Sequence, residues 1–106
     1  MAEIIWAEPA VSDLDAIADY IALDNPVAAA DLVRRVLGHV EQLSEHPRSG
    51  PTLPELPGWR YRQIVEPPCR VIYRQEQGRV LILHVIRGEQ KLRPRLLAKR
   101  RRSTKK

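Results

Sequence analysis

The spacing of apolar residues changes period along the chain. Glu3-Ile4-Ile5-Trp6 is a short apolar run and predicts a first strand. Val11, Leu14, Ile17, Ala18 and Ile21 then recur at helical spacing. Pro9 stands just inside this helix, where its missing N–H costs nothing. Asp13, Asp15 and Asp19 lie on its other faces, and early acids suit a helix N-terminus. Asp24-Asn25-Pro26 ends it, because the residue before a proline is driven out of the α region. Pro26 opens a second helix with Asn25 as its cap, and Ala29, Val33, Val36, Leu37, Val40 and Leu43 form its apolar series. Two helices joined at an Asn-Pro corner make a helical hairpin.

From His46 to Gly58 the chain holds four prolines and two glycines and reads as an ordered loop. Strands are predicted at about 59–66, 69–75 and 79–87, separated by Pro67-Pro68 and by a turn at Gln77-Gly78. Beyond them Leu92, Leu96 and Leu97 suffice for one or two helical turns. Past Lys99 nothing apolar remains, and an unordered end is expected. The order β-α-α-β-β-β predicts an α+β fold: a helical hairpin packed on one face of a small antiparallel sheet. The other face of such a sheet is free to be wet.

Arginines enter these strands in phase. Side chains alternate along a strand, so Arg70 and Arg74 project from one face and Val71 and Tyr73 from the other. Arg60 and Arg62 share a face of the preceding strand. A basic sheet surface built from Arg60, Arg62, Arg70 and Arg74 is expected to bind an anionic partner, and Arg87 and Gly88, which leave the last strand, are the next candidates for contact.

Composition narrows the class. With 106 residues the chain is one domain with one modest core. It shows no secretory leader and no membrane-length apolar run. Cys69 is alone, which excludes an internal disulfide and fits a cytoplasmic protein. The formal charge of +5 is unevenly spread. Residues 1–46 hold two Arg against nine acids, whereas residues 93–106 hold eight basic groups and no acid. The high pI therefore comes from the tail, and inference from it to nucleic-acid binding rests on the tail alone.

Three stretches together, IIWAEPAVSDLDAIADYIALDNPVAAADLV, HPRSGPTLPELPGWR and CRVIYR with VLILHVIRG, resemble the RelE/ParE toxin superfamily of bacterial toxin–antitoxin pairs. The resemblance spans roughly residues 3–90. The Trp6-to-Ala10 start, the YIALDNPVAA corner and the HPRSG loop look most like ParE. The resemblance implies a toxin domain over residues 1–92, followed by a basic tail over 93–106. It also implies a ParD-like antitoxin that neutralises the toxin, and one of two targets. ParE-type toxins inhibit DNA gyrase and block replication. RelE-type toxins cleave messenger RNA on the ribosome.

Chemistry separates these. Metal-free RNA cleavage needs a base for the 2′-OH, an acid for the leaving oxygen and cations for the phosphate. Arginines serve the phosphate well but are poor bases. RelE-type nucleases resemble one another in a Tyr or His just beyond the last strand, and here 86–92 contains neither. If the chain is a nuclease, Arg70, Arg74, Arg87 and His84 are its candidates. Tyr73 reads as core, His39 and His46 as helix residues, and Glu89 and Lys91 as solvated. No metal spacing and no glycine-rich phosphate loop is present, so no cofactor is expected. The missing base favours a non-enzymatic protein, and the resemblance to ParE alone implies DNA gyrase as what it inhibits. The alternatives are a ribosome-dependent ribonuclease and a member of the fold that only binds its partner or operator DNA. The basic tail is a solubilising segment, a nonspecific DNA contact or part of the antitoxin interface.

Overall fold

The computed structural model describes residues 1–88 and 90–104. Glu89, Lys105 and Lys106, which entered the reasoning above, lie outside the described residues. The elements are β1 (Glu3–Trp6), α1 (Glu8–Ala22), α2 (Pro26–Glu41), a 3₁₀ turn at Gln42–Ser44, β2 (Tyr61–Glu66), β3 (Cys69–Glu76), β4 (Arg79–Arg87) and α3 (Pro94–Thr104). The α+β class and the β-α-α-β-β-β order stand as expected. Asn25 caps α2 by accepting a 3.0 Å bond from the Ala28 N–H.

The sheet order is β1-β4-β3-β2, and β1 runs parallel to β4, with Ile5 opposite Leu81. The sheet is therefore mixed, which corrects the purely antiparallel expectation. Tight connections force β2, β3 and β4 to alternate in direction. Gln77 and Gly78 both take positive φ, 49° and 76°, as a two-residue hairpin turn of the primed type requires. No hairpin joins β1 to its neighbour. The intervening helices provide the crossover that a parallel pair needs.

The apolar stripes face the sheet, shifted slightly from their expected positions. Ala10, Leu14 and Ile17 are buried on α1, and Ala29, Leu32, Val36 and Val40 on α2. Val11 and Leu37, expected inside, are 43% and 45% exposed. Ala10 and Leu32 take the inward positions instead. Leu53 and Leu56 anchor the proline-rich loop in the same core. Its Pro51 carbonyl accepts a 3.0 Å bond from the Gln63 N–H, so the loop lies along the β2 edge.

Every residue of β4 from Val80 to Ile86 is buried, so neither face of this strand is wet. The cover on the second face is α3, whose Leu97 is fully buried. This corrects the expectation of a helical turn or two and an unordered end past Lys99. Arg100 and Arg101 hold the helix down by reaching Asp13 and Glu76. Those partners lie 87 and 25 residues away, so apolar spacing alone does not reveal them.

Candidate functional site

Arg70 and Arg74 leave the same face of β3, as strand parity predicts, but they are not a bare cationic pair. Arg70 makes a two-pronged contact with Glu55, at 2.7 and 2.9 Å, and its Nε donates to Gln63 at 2.6 Å. Those hydrogen bonds from Arg70 hold the Glu55 carboxyl below its usual range. Arg74 Nε lies 3.3 Å from Glu76, and its guanidinium sits 5.4 Å from the Tyr61 ring centroid. Trp59 stacks on Tyr61 at 6.2 Å and stays half exposed. Acids from the loop and the β3 end thus separate the two cations, and the repulsion expected of adjacent guanidinium groups is absorbed.

Arg62 does not join that face, contrary to expectation. The antiparallel register sets Arg62 opposite Tyr73, and therefore on the other side of the sheet from Arg70 and Arg74. Arg62 donates to the Gly50 carbonyl at 2.7 Å and to the Arg48 carbonyl at 3.4 Å, tying down the loop. Arg60 precedes β2 and is exposed. An arginine acting only in recognition would cost almost no stability on removal. The Glu55 contact changes that: Arg70→Ala should cost about 1 kcal/mol, the upper end for a well-formed exposed pair. Thermal melts check this, and a melting temperature equal to wild type would contradict it.

A second cluster lies where α1 meets the C-terminal half of β4. Strand β1 pairs with β4 only as far as Ile82, so the next backbone groups of β4 have no strand partner on that side. Side chains take its place. Asp13 accepts from the Val85 N–H at 3.1 Å, and Arg100 donates to the Leu83 carbonyl at 2.9 Å. The open edge is thus closed by an ion pair rather than by backbone. Arg100 also donates to Asp13 at 2.7 Å, and His84 Nδ1 lies 2.7 Å from the same carboxylate oxygen. Arg100 comes within 2.8 Å of Nδ1 as well. Nδ1 cannot donate to one and accept from the other at once, and an ionised Asp13 favours donation to the carboxylate. Burial pushes the Asp13 carboxyl up, but hydrogen bonds from His84, Arg100 and Val85 outweigh it and hold the group below its ordinary value.

Beside this cluster is a cleft of about 230 Å³ whose walls include Asp13, Tyr20, His84, Arg87 and Gln90. The Arg87 guanidinium lies 4.6 Å from the Tyr20 ring centroid, a cation–π contact. Gly88 donates its N–H to the Pro68 carbonyl at 3.0 Å and is exposed. Arg87 and Gly88 therefore leave β4 as expected, although Arg87 is far from Arg70 and Arg74 in role: it serves the α1 side. The Asp13, His84 and Arg100 group escaped sequence reasoning. Its signal was the spacing of Asp13, Ile17 and Tyr20 on one side of α1, which places an acid at the border of the apolar stripe.

Comparison with known proteins follows the same geometry. The family model for the ParE toxin of the type II toxin–antitoxin system parDE matches residues 4–92. The chain belongs to the ParE toxin family. A curated relative, Toxin RelE2 of Caulobacter vibrioides, is 33% identical over 91 residues, covering 82% of this chain and 92% of that protein. A chain of a solved structure described as the chromosomal ParDE TA system from P. aeruginosa superposes with a TM-score of 0.69 at 30% identity. It covers 84% of this chain and 98% of its own length. The family model is named for ParE and a relative is named RelE2, so family membership does not decide between the two targets. The family match ends at residue 92, before α3 begins.

The remaining candidates of this ParE-family chain are placed as follows. Tyr73 is fully buried, and its hydroxyl accepts a 3.0 Å bond from the Gly50 N–H. Burial pushes its pKa up despite that bond. His39 lies 2.9 Å from Glu66, which also receives Arg35 at 3.3 Å. His46 and Lys91 are exposed. Cys69 is buried, and burial pushes its thiol up, which leaves it unreactive. Among the described residues, no group of three or more His, Cys, Asp and Glu is placed to hold a metal ion. Among them too, no helix is long and apolar enough to cross a membrane.

Proposed function

We propose that this ParE-family toxin acts as a non-enzymatic poison of DNA gyrase in the cytoplasm and is silenced by a ParD-like antitoxin. The observation that carries the reading is the fate of the two strand residues best suited to proton transfer. Tyr73 is locked in the core with its hydroxyl on Gly50, and its raised pKa makes a phenolate at neutral pH costly. His84 is buried and spends Nδ1 on Asp13. Neither is offered to a substrate beside Arg70 and Arg74. Without a base and an acid, arginines bind phosphate or carboxylate but do not cleave RNA.

The partner and target contacts we assign to Arg60, Arg62, Arg70, Arg74, Arg87 and Gly88. Arg60 and Gly88 are exposed, and Arg70 and Arg74 would exchange Glu55 and Glu76 for acidic groups of a partner. A second reading has its own observation. His84, Arg87 and Tyr20 line one cleft, and a curated relative is named Toxin RelE2. That cleft would then be a ribonuclease site. Ribosomes stalled on a defined messenger separate the two. The poison reading predicts intact messenger at toxin concentrations that arrest growth. Codon-specific cuts that vanish in His84→Gln would establish the nuclease instead.

A further inference from the structure

α3 carries two faces of opposite character. Leu97, Arg100 and Arg101 turn inward: Leu97 is fully buried, Arg100 meets Asp13 at 2.7 Å, and Arg101 meets Glu76 at 3.4 Å. At about 100° per residue, Arg95, Lys99 and Arg102 fall together on the opposite side. All three are exposed. Among the described residues none of them has a hydrogen-bond or ion-pair partner. Exposed Lys91 and Arg93 continue the run on the N-terminal side. The sequence from 93 to 106 contains no acid to neutralise it.

We propose that the outer face of α3 is a contact surface for the phosphate backbone of duplex DNA. A solubilising tail needs charge but not order, whereas here the charge is mounted on a helix pinned at Asp13 and Glu76. Rigid mounting matters for a phosphate contact because no backbone ordering entropy is then spent on binding. Arg95 to Arg102 spans about 10 Å of helix axis, over which a DNA duplex presents about six phosphate charges. The stripe contains no aromatic residue, and neither does any position from 91 to 106. Unpaired bases are held chiefly by stacking on aromatic side chains, so a single strand lacks its usual platform here. RNA duplexes are read through 2′-hydroxyls by polar side chains. The Ser103 hydroxyl of α3 donates to the Arg100 carbonyl within the helix.

An acidic protein segment is the other anionic occupant. Stable protein contacts need a buried apolar or aromatic anchor. Arg95 and Lys99 share a shallow hollow with Leu92, Pro94 and Leu96, but no aromatic residue lines it and Arg102 lies outside it, so the stripe as a whole offers no such anchor. The assignment to DNA goes beyond the gyrase reading and does not rest on it, because it concerns the free toxin and bare duplex.

Fluorescence anisotropy with the full-length chain and a labelled 20-base-pair duplex, titrated between about 50 and 200 mM salt, tests the proposal. Arg95→Gln/Lys99→Gln/Arg102→Gln should bind at least tenfold more weakly at the lowest salt. Its log–log salt slope should fall by about 2.7, roughly 0.9 for each lost phosphate contact. Arg34→Gln/Arg35→Gln/Arg48→Gln removes the same charge elsewhere and should change affinity by less than threefold. Melting temperatures of the stripe variant should match wild type, since the three side chains hold nothing down. Should they not, the single variants, each lowering the slope by about 0.9, carry the test. Equal losses in the two triple variants would overturn the proposal by reducing it to net charge. Tighter binding of an RNA hairpin or of single-stranded DNA than of the duplex would overturn the choice of DNA duplex. Loss of antitoxin affinity with DNA binding intact would assign the stripe to an acidic protein.

Discussion

Gly50→Ala should cost about 3 kcal/mol, at the top of the usual range for overpacking, and lower the melting temperature by roughly 15 °C. A β-carbon at Gly50 would stand 2.3 Å from the Gln63 carbonyl oxygen, 2.8 Å from the Tyr73 hydroxyl and 3.0 Å from the Tyr73 ring. The nearest of these is backbone of β2 and cannot swing aside. Three attachments of the loop converge there. The Gly50 N–H bonds the Tyr73 hydroxyl, its carbonyl receives Arg62, and the next residue's carbonyl receives the Gln63 N–H. A methyl group thus either unseats the loop or forces the buried Tyr73 hydroxyl off its donor. Gly38→Ala is the control. Nothing lies within 4 Å of its would-be β-carbon, and it sits inside α2. There the same change should stabilise by about 0.5–1 kcal/mol through helix propensity. Thermal melts of both variants decide the point, and a Gly50→Ala melt within 3 °C of wild type would show that the loop has room to relax.

Arg100→Met should be similarly damaging, about 3 kcal/mol, the low end for breaking a buried pair. The low end applies because the Asp13 side chain keeps 20% of its exposure and water can partly re-solvate it. The loss strands the Asp13 carboxylate and leaves the Leu83 carbonyl without this donor. Asp13→Asn in the same chain should recover part of the loss, since the amide oxygen still accepts from the Val85 N–H while the orphaned charge is gone. The pH dependence carries a definite sign. Asp13 lies below its ordinary value of 3.8 in the folded chain. Its contribution is therefore complete above that value and is lost as pH falls through it toward the folded pKa. Glu55, lowered from 4.5 by Arg70, acts in the same direction. Denaturant midpoints from pH 7 down to 3 should fall for wild type and fall less steeply for Arg100→Met. Parallel curves would show that the pair does not couple to folding.

Much of the fold was legible because its devices are local. Asn25-Pro26 caps a helix within three residues, and Gln77-Gly78 makes a turn within two. Strand alternation correctly paired Arg70 with Arg74. What parity within one strand cannot supply is register between strands. Arg62 landed on the opposite face because it pairs with Tyr73, and that choice is made by the packing of Ile64 against Val71 across the pair. The parallel placement of β1 and the full burial of β4 are likewise decided by what covers the sheet. The cover was the hardest element to foresee. α3 has only Leu96 and Leu97 as apolar residues after Pro94 besides Ala98, so its pattern is that of an unordered charge run. Its order comes from arginine contacts to acids on α1 and β3, which no local pattern records. Glu55 in the proline-rich loop and Glu76 at the end of β3 turned an expected bare cationic surface into paired arginines.

The gyrase reading has one direct measurement: ATP-dependent supercoiling of relaxed plasmid by purified gyrase, with increasing toxin and then with equimolar antitoxin. The account predicts that supercoiling stops as toxin is added, that Tyr73→Phe and His84→Gln chains that remain folded inhibit as well as wild type, and that antitoxin restores activity. Undiminished supercoiling at toxin levels that cut ribosome-bound messenger would contradict it.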